Sequence, residues 1–289
     1  MVLRWDCAYL LAAIGVCPVM LHRQNGLKTA LIYNIMIMND LKFIGIIPAR
    51  YGSSRFPGKP LAKIGNMTMI ERVWRQVIKA LDDAVVATDD IRIYDEVISF
   101  GGKAVMTRAD HKSGTDRCYE AYLNTKSNAD VVINIQGDEP FVHEEQIREI
   151  MCCFDDQATD IATLARPFDA KKGFAVLNDW TKPKVVTDIH GNALYFSRSV
   201  IPYVRNENQE MWGEKFPFMM HVGMYAYRAE VLKEITTLEQ SPLEIAESLE
   251  QLRWLQNGYT IKVGKTSHET IGIDTPDDLQ RALKFLESK

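Results

Sequence analysis

Apolar and polar positions between residues 42 and 140 fall in alternating strand and helix periods. Phe43–Ile47 is an unbroken apolar run, the pattern of a strand buried on both faces. Thr68 and Glu71 stand at capping-box spacing, and Ile70, Val73, Trp74, Val77 and Ile78 then line one helical face. Asp83–Thr88 reads as a second strand, Ile91–Phe100 as a helix stopped by Gly101-Gly102, and Lys103–Met106 as a short third strand. Ser113-Gly114-Thr115 precedes a helix over Asp116–Leu123, and Val131–Gln136 is a fourth, apolar strand. Alternation at these lengths predicts an α/β fold with a mostly parallel sheet and helices on both faces. Ligands of such sheets sit outside the carboxyl ends of the strands. The loop after the first strand, Thr88-Asp89 and Gln136–Asp138 all fall at that edge.

The second half is less regular. Ile161–Arg166 and Pro183–Thr187 read as strands, and His190-Gly191-Asn192 as a turn before Ala193–Phe196. Pro202–Pro217 is a long irregular connection, after which Phe218–Tyr227 returns to strand composition. Ser241 and Glu244 form a second capping box, opening one helix that Gly258 ends. Residues 1–40 differ in character from the rest of the chain. Tyr9–Leu21 is apolar over 13 residues but broken by Pro18, too short to span a bilayer. Met36 and Met38 stand just before the first strand; residues 1–40 are expected to be an extension outside the fold, with translation starting at one of these two, in preference to a targeting role. Residues 41–289 form one catalytic domain in this reading.

Composition narrows the class only a little. At 289 residues, 46% hydrophobic and 25% charged, the chain can bury a substantial core. A formal charge of −4 gives no reason to expect nucleic acid or an anionic membrane as partner. Cys7, Cys17, Cys118, Cys152 and Cys153 show neither metal-ligand spacing nor the density of a secreted scaffold, which fits a reducing cytoplasm.

The chemistry gathers in the first loop, Pro48-Ala49-Arg50-Tyr51-Gly52-Ser53-Ser54-Arg55-Phe56-Pro57-Gly58-Lys59-Pro60. A buried strand leading into a cationic, glycine-containing loop suits an anionic phosphate group. It is not a Walker A loop. Gly52 and Gly58 are separated by five residues, and Pro60 stands where a magnesium-binding hydroxyl would be needed. The loop resembles the signature of sugar-activating nucleotidyltransferases, and in detail the 3-deoxy-manno-octulosonate cytidylyltransferase family. The resemblance runs from residue 42 to the C-terminus. Further blocks are Val85–Asp90, His111–Arg117, Asn134–Pro140, Ala193–Arg198, His221–Tyr225, Ser248–Arg253 and Ile273–Leu279.

What the resemblance implies is a Rossmann-like nucleotidyltransferase sheet with a less regular half for sugar binding and dimerisation. It also implies transfer of CMP from CTP to 3-deoxy-D-manno-octulosonate (Kdo) for lipopolysaccharide, in a cytoplasmic homodimer. Arg50, Arg55 and Lys59 suit the triphosphate; by the resemblance Ser53, Ser113 and Gly114 join the nucleotide site, the last two near the base, and Gln136 has the donor and acceptor to read a pyrimidine or ribose edge. Asp138 and Asp274 become ligands of Mg2+, and Arg50, Lys59, Asp138 and Asp274 the catalytic set. Arg198 pairs with the sugar carboxylate, while His221, Tyr225, Glu250 and Gln251 meet its hydroxyls. No protein base stands out, which leaves activation of the attacking hydroxyl to the metal. Plainer readings stand beside these: Ser113 as a helix cap, Asp138 as a turn aspartate, His221 as a core histidine, Glu250 and Arg253 as a surface pair, and Asp274 as one more acid at a helix start. The alternatives for function are a cytidylyltransferase for another acidic sugar, such as a sialic acid, and a non-catalytic nucleotide-binding regulator.

Overall fold

The computed structural model describes residues 41–52, 55–269 and 272–287. The expectation for residues 1–40 and the assignment of Ser53 lie outside the described residues. The strands are β1 (Phe43–Ala49), β2 (Lys63–Ile64), β3 (Met67–Thr68), β4 (Ala84–Thr88), β5 (Ala104–Met106), β6 (Val131–Asn134), β7 (Ile161–Pro167), β8 (Lys184–Thr187), β9 (Ala193–Ser197), β10 (Met219–Arg228) and β11 (Ile261–Lys265). β2 and β3 form a small ribbon; the other strands make one sheet with the central order β11-β7-β10-β6-β1-β4-β5. β1 pairs in parallel with β4 and β6, and β4 with β5. β10 alone on this path runs against its neighbours, β6 and β7. The sheet is therefore mixed but mostly parallel, and β8 and β9 extend it from β10 as an antiparallel pair.

The apolar runs explain the layering. Every residue of β4 and β6 is buried, as expected of strands covered on both faces. Side chains of a strand alternate between faces. Ile44 and Ile46 of β1 share a core cluster with Cys118 and Ala121 of the helix Gly114–Thr125. Gly45, facing the other way, lies against Val77 and Leu81 at the end of the helix Met69–Val77. Helices thus cover both faces of β1.

Three elements depart from the expectations. The single helix drawn from Ser241 to Gly258 is two, Pro242–Glu247 and Gln251–Gln256, because Ser248 takes a left-handed conformation with φ of 50°. The capping box at Thr68 is half made. Thr68 accepts from the Glu71 amide, but the Glu71 carboxylate turns to Arg75 instead. The irregular connection Pro202–Pro217 contains two short helical turns, Gln209–Met211 and Trp212–Lys215, and buries Trp212 with Leu177, Phe218 and Met220.

Candidate active site

The ends of β1 and β6 are forced together by one glycine. The Ile135 amide donates to the Ile46 carbonyl at 3.0 Å, and a Cβ on Gly137 would lie 2.6 Å from the Pro48 carbonyl oxygen. Only glycine permits that approach. It sets Gln136–Asp138 beside Pro48–Arg50. The first loop closes on itself through the Gly58 amide, which donates to the Tyr51 carbonyl at 2.9 Å. A single 3-10 turn, Lys59–Leu61, follows and carries Lys59 inward.

Lys59 is the centre of the cleft. Its Nζ donates to Asp138 Oδ2 at 2.6 Å and to Asp274 Oδ1 at 3.1 Å, while Arg55 lies 3.3 Å from Asp274 Oδ2. Asp274 comes from a distant stretch of chain, tied in by the Ile273 amide on the Asp138 carbonyl at 2.9 Å. The two carboxylates therefore converge on one cation. They are hard oxygen donors, the kind magnesium prefers, and the ammonium occupies the point between them. Glu139, next to Asp138, has its carboxyl pushed up to about 8 by burial and then by the Asp138 charge.

Ser113 caps the helix Gly114–Thr125. Its hydroxyl accepts from the Asp116 amide at 3.1 Å, and the Asp116 carboxylate accepts from the Ser113 amide at 3.2 Å. Ser113 and Gly114 line the same cleft as Arg50, Arg55, Lys59, Gln136, Asp138 and Asp274. Gln136 spends one N–H on the Gly223 carbonyl at 3.1 Å, which orients its amide. His111, Lys112 and Arg117 line this cleft too, and the sequence reading gave them no role. Their signal was present in the block His111–Arg117. Arg117 is buried between Thr107 Oγ1 at 2.6 Å and Asp89 Oδ2 at 3.2 Å, and His111 pairs with Glu120.

The five residues expected on the sugar side do not line this cleft. The Arg198 guanidinium donates to the main-chain carbonyls of Glu247 at 2.6 Å, Trp180 at 3.1 Å and Ser248 at 3.1 Å. Three of its five N–H groups thus hold loops together. His221 and Tyr225 are brought side by side, with ring centroids 5.5 Å apart, and Thr163 Oγ1 lies 3.0 Å from His221 Nε2. Burial pushes the His221 imidazole down to about 3, so it is neutral at ordinary pH. Glu250 accepts from Thr115 Oγ1 at 2.8 Å and from Arg253 at 2.7 Å, which sets it just behind the Ser113 cap. Burial raises its carboxyl above the ordinary value, against the Thr115 hydrogen bond and the Arg253 charge. Gln251 is buried, and its Nε2 has no hydrogen-bond partner among the described residues.

A family model described as cytidylyltransferase matches residues 44–265. A 3-deoxy-manno-octulosonate cytidylyltransferase from Bacteroides thetaiotaomicron is 59% identical over 249 residues, 86% of this chain and 100% of its own. One of the same description from Porphyromonas gingivalis is 50% identical over 250 residues, covering 86% of this chain and 98% of its own. The chain belongs to the 3-deoxy-manno-octulosonate cytidylyltransferase family. A solved structure described as CMP:2-keto-3-deoxy-manno-octonic acid synthetase complexed with CTP superposes with a TM-score of 0.78 at 42% identity, over 86% of this chain and 99% of that one. A glucose-1-phosphate thymidylyltransferase from Bacillus anthracis, at 19% identity and a TM-score of 0.57 over 86% of this chain and 96% of its own, shares the fold alone. Within the cytidylyltransferase fold, the cleft at the carboxyl edge of β1 and β6 is the part that the cationic loop and both aspartates occupy.

Proposed function

We propose that this chain transfers CMP from CTP to Kdo, giving CMP-Kdo and pyrophosphate. The observation that carries this is the convergence of Lys59 with Asp138 and Asp274, in a cleft that also holds Arg50, Arg55, Ser113, Gly114 and Gln136. The anomeric hydroxyl of the sugar attacks the α-phosphorus of CTP, one P–O bond forms, and the bond to pyrophosphate breaks. Most of what the protein contributes to such a step is positioning and charge. Arg50 and Arg55 offer guanidinium forks to phosphate oxygens, and Lys59 a point charge. Ser113, Gly114 and Gln136, which line the same cleft, take the base and its ribose in this reading. Asp138 and Asp274 would hold a magnesium ion, which when bound neutralises triphosphate charge and activates the attacking hydroxyl. Lys59 must then leave the two carboxylates for a phosphate oxygen as the nucleotide arrives.

The same reading places the enzyme in the cytoplasm, where CTP is made, supplying lipopolysaccharide synthesis as a homodimer. Ile189 and Leu194, exposed on the β8–β9 hairpin, offer an apolar surface for a second subunit. Pyrophosphate release with CTP and a panel of acidic sugars tests the function. Release with Kdo well above that with sialic acid is the expected result. Faster turnover of sialic acid, or equal turnover of ATP and CTP, would overturn it.

A further inference from the structure

Away from the cleft, three metal-binding side chains gather where the helix Glu144–Cys152 begins and the chain leaves β11. Each of His143, Glu145 and His268 offers one ligand atom, and these atoms lie within 4.8 Å of one another. Glu145 Oε2 is 3.7 Å from His143 Nδ1 and 4.0 Å from His268 Nε2, and the two imidazole rings stack at 4.1 Å. We propose that His143, Glu145 and His268 form a second metal site, for a divalent transition ion such as Zn2+, distinct from the magnesium chemistry of the cleft.

The donor set argues for this ion class. Two imidazole nitrogens and one carboxylate oxygen suit zinc and its neighbours, whereas magnesium takes oxygen. Donors on a tetrahedral ion with bonds of about 2.0–2.2 Å stand roughly 3.3–3.6 Å apart. The two separations from Glu145 need to close by about 0.1–0.7 Å and the two imidazole nitrogens, within 4.8 Å, by up to about 1.5 Å, so the His143 ring would rotate away from the Gln146 amide that it caps. The backbone beneath is already pinned. The His143 amide donates to Gln146 Oε1 at 3.0 Å, the His268 amide to Thr266 Oγ1 at 3.2 Å, and the Thr266 amide to the Ala165 carbonyl at 3.0 Å. A second carboxyl lies on the same helix: Glu149, one turn beyond Glu145, has a buried Oε2 with no hydrogen-bond partner among the described residues, and burial raises its carboxyl above the ordinary value. The side chains of His143, Glu145 and His268 are 39%, 53% and 28% exposed, so an ion can reach them and keep a water in its remaining position.

The placement gives the site a consequence. His143 stands five residues beyond Asp138, and His268 six before Asp274. An ion here would clamp together the two stretches of chain that carry the cleft's aspartates, at the end opposite the Ile273–Asp138 hydrogen bond. Calorimetric titration of the full chain with Zn2+, in excess Mg2+ to hold the cleft, tests the proposal. Wild type and Asp138→Asn should each bind one equivalent. His143→Gln and His268→Gln, which each remove a ligand, should bind more weakly by at least the roughly 10–100-fold that loss of an outer-shell partner costs, and Zn2+ should raise the melting temperature of wild type but not of these two. The site's half-exposed histidines leave the fold intact, which circular dichroism verifies. Absence of stoichiometric binding in wild type, an unchanged affinity in either histidine variant, or loss of binding in Asp138→Asn would each overturn it. Binding is read without turnover, so its failure leaves the cytidylyltransferase reading untouched.

Discussion

Asp274 and Asp278 are four residues apart and hold opposite kinds of job. The Asp278 carboxylate accepts from the amides of Asp274 and Thr275 and from the Thr275 hydroxyl, and pairs with Arg281, all at the start of the helix Pro276–Glu287. Asp274 instead turns its carboxylate to Lys59 and Arg55. Asp274→Asn should therefore lower turnover roughly a hundredfold or more, about 2.7 kcal/mol of transition-state stabilisation, with little change in melting temperature. Asp278→Asn should cost about 1 kcal/mol of stability, a fall of roughly 2–4 °C, with turnover within about tenfold of wild type. Near-normal turnover in Asp274→Asn at saturating magnesium would return that residue to the cap. His221 adds a pH dependence. Its folded value near 3 lies below the unfolded 6.5, so between those limits the unfolded chain binds a proton that the folded chain refuses. Its contribution is intact above pH 6.5 and is lost as pH falls towards 3, with a limiting slope of roughly 1.4 kcal/mol per pH unit. Chemical denaturation at pH 7, 6 and 5 should show this slope in wild type and its loss in His221→Gln. Lys59 and Asp138 were legible as members of loops that leave the carboxyl ends of β1 and β6, the edge to which the strand pattern assigns ligands. Arg198 was not, because its partners are main-chain carbonyls at Trp180, Glu247 and Ser248, which leave no mark in a sequence.

Elements were legible where local chemistry acts alone. Ser113 with Asp116 and Ser241 with Glu244 each make a full capping box, with both partners inside four residues. The helix break at Ser248 was hidden, since no glycine announces it and tertiary contacts sustain it. Ser197 Oγ and the Arg198 amide both bond the Glu247 carboxylate, and Thr115 takes up Glu250, so each side of the break is anchored separately. β11 was missed for a related reason: Ile261–Lys265 reads weakly by itself but pairs along its whole length with β7. The meeting of the β1 and β6 loops is the element-level feature on which the cleft depends. Gly137→Ala must push the Pro48 carbonyl away from 2.6 Å, backbone against backbone, with no flexible side chain to give way. The expected cost is about 1–3 kcal/mol of stability, together with a higher KM for CTP as Gln136 and Asp138 shift from Arg50. A variant with unchanged melting temperature and KM would mean that the loops adjust freely.

Across the whole molecule, the direction of the sheet decides what meets what. β1 and β6 run in parallel, so their loops emerge on one edge, and Asp274 is brought there from 136 residues beyond Asp138. Although the chain's net charge is −4, Arg50, Arg55, Lys59, Lys112 and Arg117 are concentrated in the cleft at this edge, which suits it to a polyanion. That concentration creates competition in the nucleotide-free protein. Lys59 bridges both carboxylates, with Arg55 also on Asp274, so a divalent ion arriving alone would have to displace an ammonium held at 2.6 and 3.1 Å. In the proposed reading CTP would change the balance by giving Lys59 phosphate oxygens to move to. Metal and nucleotide should thus favour each other's binding, with a coupling of about 1–3 kcal/mol carried by this one side chain. Lys59→Met separates the two effects. With no nucleotide present, it leaves Asp138 without its cation and Asp274 with Arg55 alone, so Mg2+ should bind at least roughly fivefold more tightly than to wild type. Turnover should nevertheless collapse, since the phosphate contact is gone. Titration of Mg2+ into both proteins without CTP is the decisive measurement, because magnesium in solution otherwise arrives as its nucleotide complex. Equal affinities would show that Lys59 does not guard the carboxylates, whatever becomes of the rate.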